Sequence, residues 1–149
     1  LWVRGEQVSG EYRGVGGPSE DDWFRTRDSV HLDDEGYLFV HGRLDDVIVR
    51  GGENLSPGEI EAVLLRHEAV EDAAVVGIPD TEWGERVVAA VVPVPGRAVD
   101  EDELRESVRR ELRSTRTPER IAVLESLPYN ETGKLLRRTL RKDLADAFR

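Results

Sequence analysis

One lysine closes the stretch "LPYNETGK", residues 127–134, directly behind a Thr-Gly turn and ahead of a basic, leucine-bearing run. Nothing in the local pattern tells Lys134 to pack. Its ammonium is a compact point charge carried on a polar loop. The plain alternative is a solvated lysine at a helix start. Three other places hold residues with chemical potential. "GRLDD" sets Arg43 and Asp45 in a turn, where they can also be a surface pair worth little to stability. "RGGEN" brings Gly51 and Gly52 ahead of Asn54, and a backbone without Cβ can approach a ligand closely, although turn or bulge glycines are commoner. Trp83, in "PDTEWGE", occupies a loop between two strand-like runs, an exposed place for so large a ring unless it packs on its own sheet.

The elements that must position these residues are readable from pattern. "LWVRGEQV" alternates like a strand, and "SGEYRGVGGPSEDD" after it reads as loop. "YLFVH" and "DVIVR" are strand-like and suggest a hairpin, with "DDEG" before them as turn chemistry. Ser56, Pro57 and Glu59 then form a capping-box pattern for a helix on which Ile60, Val63, Leu64 and His67 recur at helical spacing. The runs "AVEDAAVVGI" and "ERVVAAVVPV" are strands, and Asp100 with Glu103 caps a second helix whose Leu104, Val108 and Leu112 share a face. "RIAVLESL" is a further strand, "PYNETG" a loop, and "KLLRRTLRKDLADAF" a last helix. The order ββαββαβα predicts an α+β domain, a mixed sheet with about three helices covering one face, preceded by a short β and loop segment.

Composition narrows the function. Thirty-one acidic residues against 21 Lys and Arg give a net charge of −10 over 149 residues, which disfavours nucleic acid and anionic membrane surfaces as partners. With no cysteine and three scattered histidines (His31, His41, His67), no metal site is expected. The apolar runs are strand-sized, too short for a membrane span, so a cytoplasmic protein is the expectation. The basic run Arg137, Arg138, Arg141 and Lys142 reads as the solvated face of the last helix. A chain without methionine that opens in the middle of a strand pattern is expected to be a piece of a longer protein.

Four stretches taken together, "WFRTRD", "GYLFVHGRLDDVIVRGGENLSPGEIE", "VVGIPDTEWGE" and "LPYNETGKLLRR", resemble the C-terminal part of the AMP-forming acyl-CoA and aryl-CoA synthetases of the adenylate-forming superfamily. The resemblance runs from about Trp23 to Asp143. It implies an enzyme that joins a carboxylic acid to ATP, releasing pyrophosphate, and then lets the thiol of coenzyme A displace AMP. A large N-terminal domain would hold the acid, ATP and its Mg²⁺, and a small C-terminal lid would close over it in two orientations. Residues 1–44 would be the tail end of the large domain and 45–149 the lid.

The resemblance also implies roles. Lys134 would stabilise charge where the carboxylate attacks the α-phosphate. Asp28 would accept from the ribose hydroxyls, and Arg43 would contact the ribose or phosphate side. Asp45 would be the hinge about which the lid turns. Gly51, Gly52 and Asn54 would border the pantetheine tunnel, with Trp83 against coenzyme A and Arg116 at one of its phosphates. Two departures stand out: Arg27 where the family usually has Gly, and Thr115–Arg116 where it often has an aromatic residue followed by Lys. An adenylation unit serving a carrier protein in peptide synthesis is a rival reading. A non-catalytic remnant acting as a binding domain is another.

Overall fold

A computed structural model describes residues 1–6, 8, 23–112 and 114–149. The stretch "SGEYRGVGGPSEDD" lies outside the described residues. The chain divides into two compact units, Leu1–Asp45 and Asp46–Arg149. In the first, β1 (Trp2–Val3) pairs antiparallel with β2 (Phe24–Arg25), and β3 (Asp28–Leu32) with β4 (Leu38–Arg43). The "DDEG" turn therefore joins "DSVHL" to "LFVHGR", which corrects the expected hairpin. Asp33 builds that turn, its Oδ1 accepting from the amides of Glu35 and Tyr37 at 3.0 and 2.8 Å.

A single 3-10 turn, Leu44–Asp46, leads into the second unit. There β5 (Ile48–Arg50) pairs instead with β6 (Glu53–Leu55), followed by α1 (Pro57–Leu64), β7 (Val70–Asp80), β8 (Gly84–Pro93), α2 (Glu101–Glu111), β9 (Arg120–Val123) and α3 (Arg137–Ala147). The order ββαββαβα is as expected, with a different first pair of strands. β7 and β8 form a long antiparallel ladder, and β9 joins β8 in parallel, so the sheet is mixed.

The apolar runs of β7 and β8 are continuous because both faces of the sheet are covered. Val75, Val87, Ala89 and Val91 pack on one side with Ile60 and Leu64 of α1 and Leu104 and Val108 of α2. Ala74, Val76, Val88 and Ala90 point the other way, onto Leu140 and Leu144 of α3. The helices thus lie on two faces and not on one, as side chains alternating along each strand require.

Local signals were met unevenly. Asp100 caps α2, accepting from the amides of Asp102 and Glu103 at 2.8 and 3.1 Å. Ser56 occupies the N-cap of α1 without a side-chain cap bond, so Pro57 at the first helical turn carries that start. His67 falls beyond the end of α1 and faces Glu103 at 3.5 Å. Among the described residues, no helix is long and apolar enough to cross a membrane.

Candidate functional site

The first unit brings Asp28 and Arg43 together. The β3–β4 register sets them directly opposite each other, with a bulge between Ser29 and Val30 absorbing the odd residue. Thr26 links them: its carbonyl accepts from Arg43 at 3.3 Å and its hydroxyl from the Asp28 amide at 3.1 Å. A carboxylate and a guanidinium on neighbouring strands offer an acceptor and a fork of donors.

Asp45 ends this unit, and its carboxylate is held by Arg27, whose Nη1 donates to both oxygens at 3.0 and 3.1 Å. Among the described residues Arg27 is the single non-glycine in the left-handed region, at φ 64°. That backbone is natural to the glycine expected here and costs an arginine roughly 1 kcal/mol or more. Its side chain reaches Asp45.

In the second unit, Lys134 sits in a loop built by one residue. The Asn130 Oδ1 accepts from the Thr132 amide at 3.1 Å, the Thr132 hydroxyl at 2.8 Å and the Lys134 amide at 2.7 Å. Gly133 takes φ 75° to close the turn, and Tyr129 bridges to Leu135 across its base. The Leu136 amide bonds to the Pro128 carbonyl at 2.8 Å, so α3 begins only at Arg137. Lys134 therefore belongs to the loop and not to the helix start. It is exposed, and among the described residues no carboxylate holds its ammonium.

The loop is tied down at both ends. Leu127 is buried beneath it, and the Tyr129 hydroxyl donates to Asp72 at 2.7 Å. That bond, then burial, raises the phenol above its usual value of 10.0. On the far side Arg137 donates to Glu61 Oε1 at 2.6 Å, Glu61 Oε2 at 3.0 Å and the Val75 carbonyl at 2.9 Å, and faces Asp46 at 3.3 Å. Burial works against its charge, but the hydrogen bond and attraction of Glu61, then Asp46, leave its affinity for the proton raised overall. Arg141 also pairs, with Glu85. The basic run is thus only partly a solvated face.

Gly51 and Gly52 form the two-residue turn between β5 and β6, both at positive φ (57° and 83°), a conformation that by itself favours glycine. Trp83 lies on the turn: its carbonyl accepts from the Gly51 amide at 2.8 Å, and a Cβ on Gly51 would stand 3.0 Å from the indole. Asp80 shapes the Trp83 loop by accepting from the amides of Glu82 and Trp83 at 2.9 and 2.8 Å, bonds that lower its carboxyl below the usual value. The Arg50 guanidinium lies 5.9 Å from the centre of the Trp83 ring, and Glu119 holds it at 2.6 Å. Together Arg50, Gly51, Glu53, Trp83, Ser114 and Thr115 line a cleft of about 300 Å³. Asn54, the second strand position past the turn, is exposed on β6 opposite Val49.

Arg116 does not join that cleft as an open cation. It pairs with Glu59 and stands 3.9 Å from Glu53, with only 27% of its side chain exposed. Among the described residues no group of three His, Asp or Glu converges as a metal cage. Residues that pattern reading did not single out are Asn130, Glu61, Asp46 and Arg50. For Asn130 the signal existed, since Asn two residues before Thr and four before Lys is Asx-turn chemistry.

A sheet covered on both faces, with a turn-borne lysine behind "PYNETG", defines a class. The model of the AMP-binding enzyme C-terminal domain matches residues 59–134, and the chain belongs to that family. Over 123 residues it is 41% identical to the long-chain-fatty-acid--CoA ligase FadD13 of Mycobacterium tuberculosis, covering 83% of this chain and 24% of that one. Over 121 residues it is 43% identical to the fatty acid--[acyl-carrier-protein] ligase ScoC of Streptomyces coeruleorubidus, covering 81% and 23%. Among solved structures, ATP-bound MatB from Rhodopseudomonas palustris superposes with a TM-score of 0.81 at 31% identity, over 87% of this chain and 26% of that one. The chain spans about a quarter of the length of the relatives it matches.

Proposed function

We propose that this chain is the C-terminal part of an ATP-dependent acid:CoA ligase, residues 1–44 closing the large adenylation domain and 45–149 forming the mobile lid. The observation that carries the reading is Lys134: exposed, uncommitted, and set at the tip of a loop whose backbone is satisfied by Asn130. In the first half-reaction the carboxylate oxygen of a small-molecule acid attacks the α-phosphate of ATP and pyrophosphate leaves. Lys134 stabilises the charge gathering between those groups. Asp28 accepts from the ribose hydroxyls while Arg43, its cross-strand neighbour, steadies the ribose or phosphate side. The Mg²⁺ arriving with ATP is held by the larger domain.

In the second half-reaction the lid turns about Asp45, and a thiolate attacks the acyl carbonyl, expelling AMP. The Gly51–Gly52 turn lets the pantetheine arm pass close to backbone, Asn54 borders it, and Trp83 covers coenzyme A. Arg116 contributes less than its charge suggests, because Glu59 already occupies it. With ATP and coenzyme A as reactants, the setting is cytoplasmic. The carrier-protein thiol is the second reading, favoured by the likeness to ScoC.

The test is acid-dependent ATP–pyrophosphate exchange by the full-length protein, followed by thiol transfer to free coenzyme A or to a carrier protein. Exchange and transfer to coenzyme A are expected. No exchange with any carboxylic acid would leave only a binding remnant.

A further inference from the structure

The chain leaves the first unit and enters the second through two adjacent aspartates, each held by an arginine of its own unit. Asp45 is held by Arg27 in the first, and Asp46 by Arg137 in the second. Arg137 occupies the first turn of α3, where the helix dipole disfavours a cation and where no acidic residue of α3 offsets it. Local helix chemistry therefore does not explain an arginine there. Its contacts do: one guanidinium serves Glu61 from α1, the Val75 carbonyl from β7 and Asp46 beside the hinge. Only Leu135 and Leu136 separate it from Lys134, and both are fixed, Leu135 by its bridge to Tyr129 and Leu136 by the Pro128 carbonyl.

Building on the ligase reading, we propose that Arg137 is a positioning residue that locks the Lys134 loop to the second-unit side of the hinge, so that rotation at Asp45 delivers the ammonium to the reacting phosphate without slack. The planar fork is needed because the four contacts, two to Glu61 and one each to Val75 and Asp46, are spread over three nitrogens, whereas a lysine has three N–H donors on a single nitrogen. The clamp acts through the placement of Lys134, so it matters to adenylation and not to thiol transfer. A misplacement of about 1 Å at the reacting centre costs up to roughly 100-fold in rate.

The test uses the full-length protein carrying Arg137→Lys or Asp46→Asn. Asp46 is the more exposed partner, and its change to Asn spares the Glu61 contact should Arg137→Lys fold poorly. Single-turnover adenylation is compared with thioester formation from supplied acyl-adenylate, alongside the melting temperature. Expected are adenylation rates about 10- to 100-fold lower for Arg137→Lys, and less for Asp46→Asn, with ATP KM nearly unchanged and thioester formation within about threefold of wild type. Equal loss in both half-reactions with a lowered melting temperature would reduce Arg137 to a structural role and overturn the proposal. Unchanged adenylation in both variants would also overturn it. Wild-type protein that never adenylates would instead sink the ligase reading beneath it.

Discussion

The Lys134 loop and the Trp83 cleft both display cations beside a glycine turn, yet they spend those charges differently. In the loop a single neutral side chain, Asn130, satisfies the backbone, so the ammonium is left for a partner. In the cleft Arg50 is already answered by Glu119, and Arg116, next in the chain to the lining Thr115, is answered by Glu59. A carboxylate beside a guanidinium cancels most of what a distant phosphate would feel. The loop therefore leaves its charge open to a partner, whereas the cleft offers shape and an aromatic face. The lesson is that a cation's usefulness depends less on its type than on what else in the fold claims it.

Substitutions in the full-length protein can break this contrast. Lys134→Ala is expected to lower adenylation about 10²- to 10³-fold, the scale for losing one preorganised charge stabiliser, read by pyrophosphate exchange. Trp83→Ala should raise the KM for coenzyme A about tenfold, the equivalent of 1.4 kcal/mol of lost stacking, while leaving exchange alone. Gly51→Ala meets both a positive φ and the indole 3.0 Å away. A loss of about 1–2 kcal/mol in denaturant unfolding is expected. Arg116→Ala sharpens the comparison from the other side: because Glu59 holds it, the KM for coenzyme A should move less than about threefold. A tenfold rise would show the cleft to be electrostatic after all.

The smallest effect concerns Tyr129. Its raised phenol binds the proton more tightly in the fold than in the unfolded chain. The resulting stabilisation is complete below the unfolded value near 10.0 and fades as pH rises through the higher folded value. Tyr129→Phe, at a residue 46% exposed where solvent screens the Asp72 bond, should cost no more than about 0.5 kcal/mol at neutral pH, a difference that disappears in strong alkali.

Much of the second unit was legible because its signals are local. Asp100 capping α2, the apolar runs of β7 and β8, and the "PYNETG" loop each depend on neighbours within a few residues. The strands Asp28–Leu32 and Glu53–Leu55 were missed, the first because its polar ends hide the alternation, the second because three residues carry no period. The end of the loop was placed three residues early. Leu135 and Leu136 look helical by spacing, but a bridge to Tyr129 and a bond to Pro128 hold them outside α3. The Arg137 clamp had no local trace, since Glu61 lies 76 residues away and only the packing of α1 and α3 against β7 brings the two together. Arg116 was legible as a cation but not as a claimed one, for the same reason.

The most direct measurement supplies preformed acyl-adenylate to full-length protein carrying Lys134→Ala and follows thioester formation in a single turnover. A lysine that acts only where the carboxylate meets the α-phosphate leaves that rate within about tenfold of wild type, against the 10²- to 10³-fold loss in adenylation. Equal losses in the two half-reactions would contradict the assignment of Lys134 to the adenylation step.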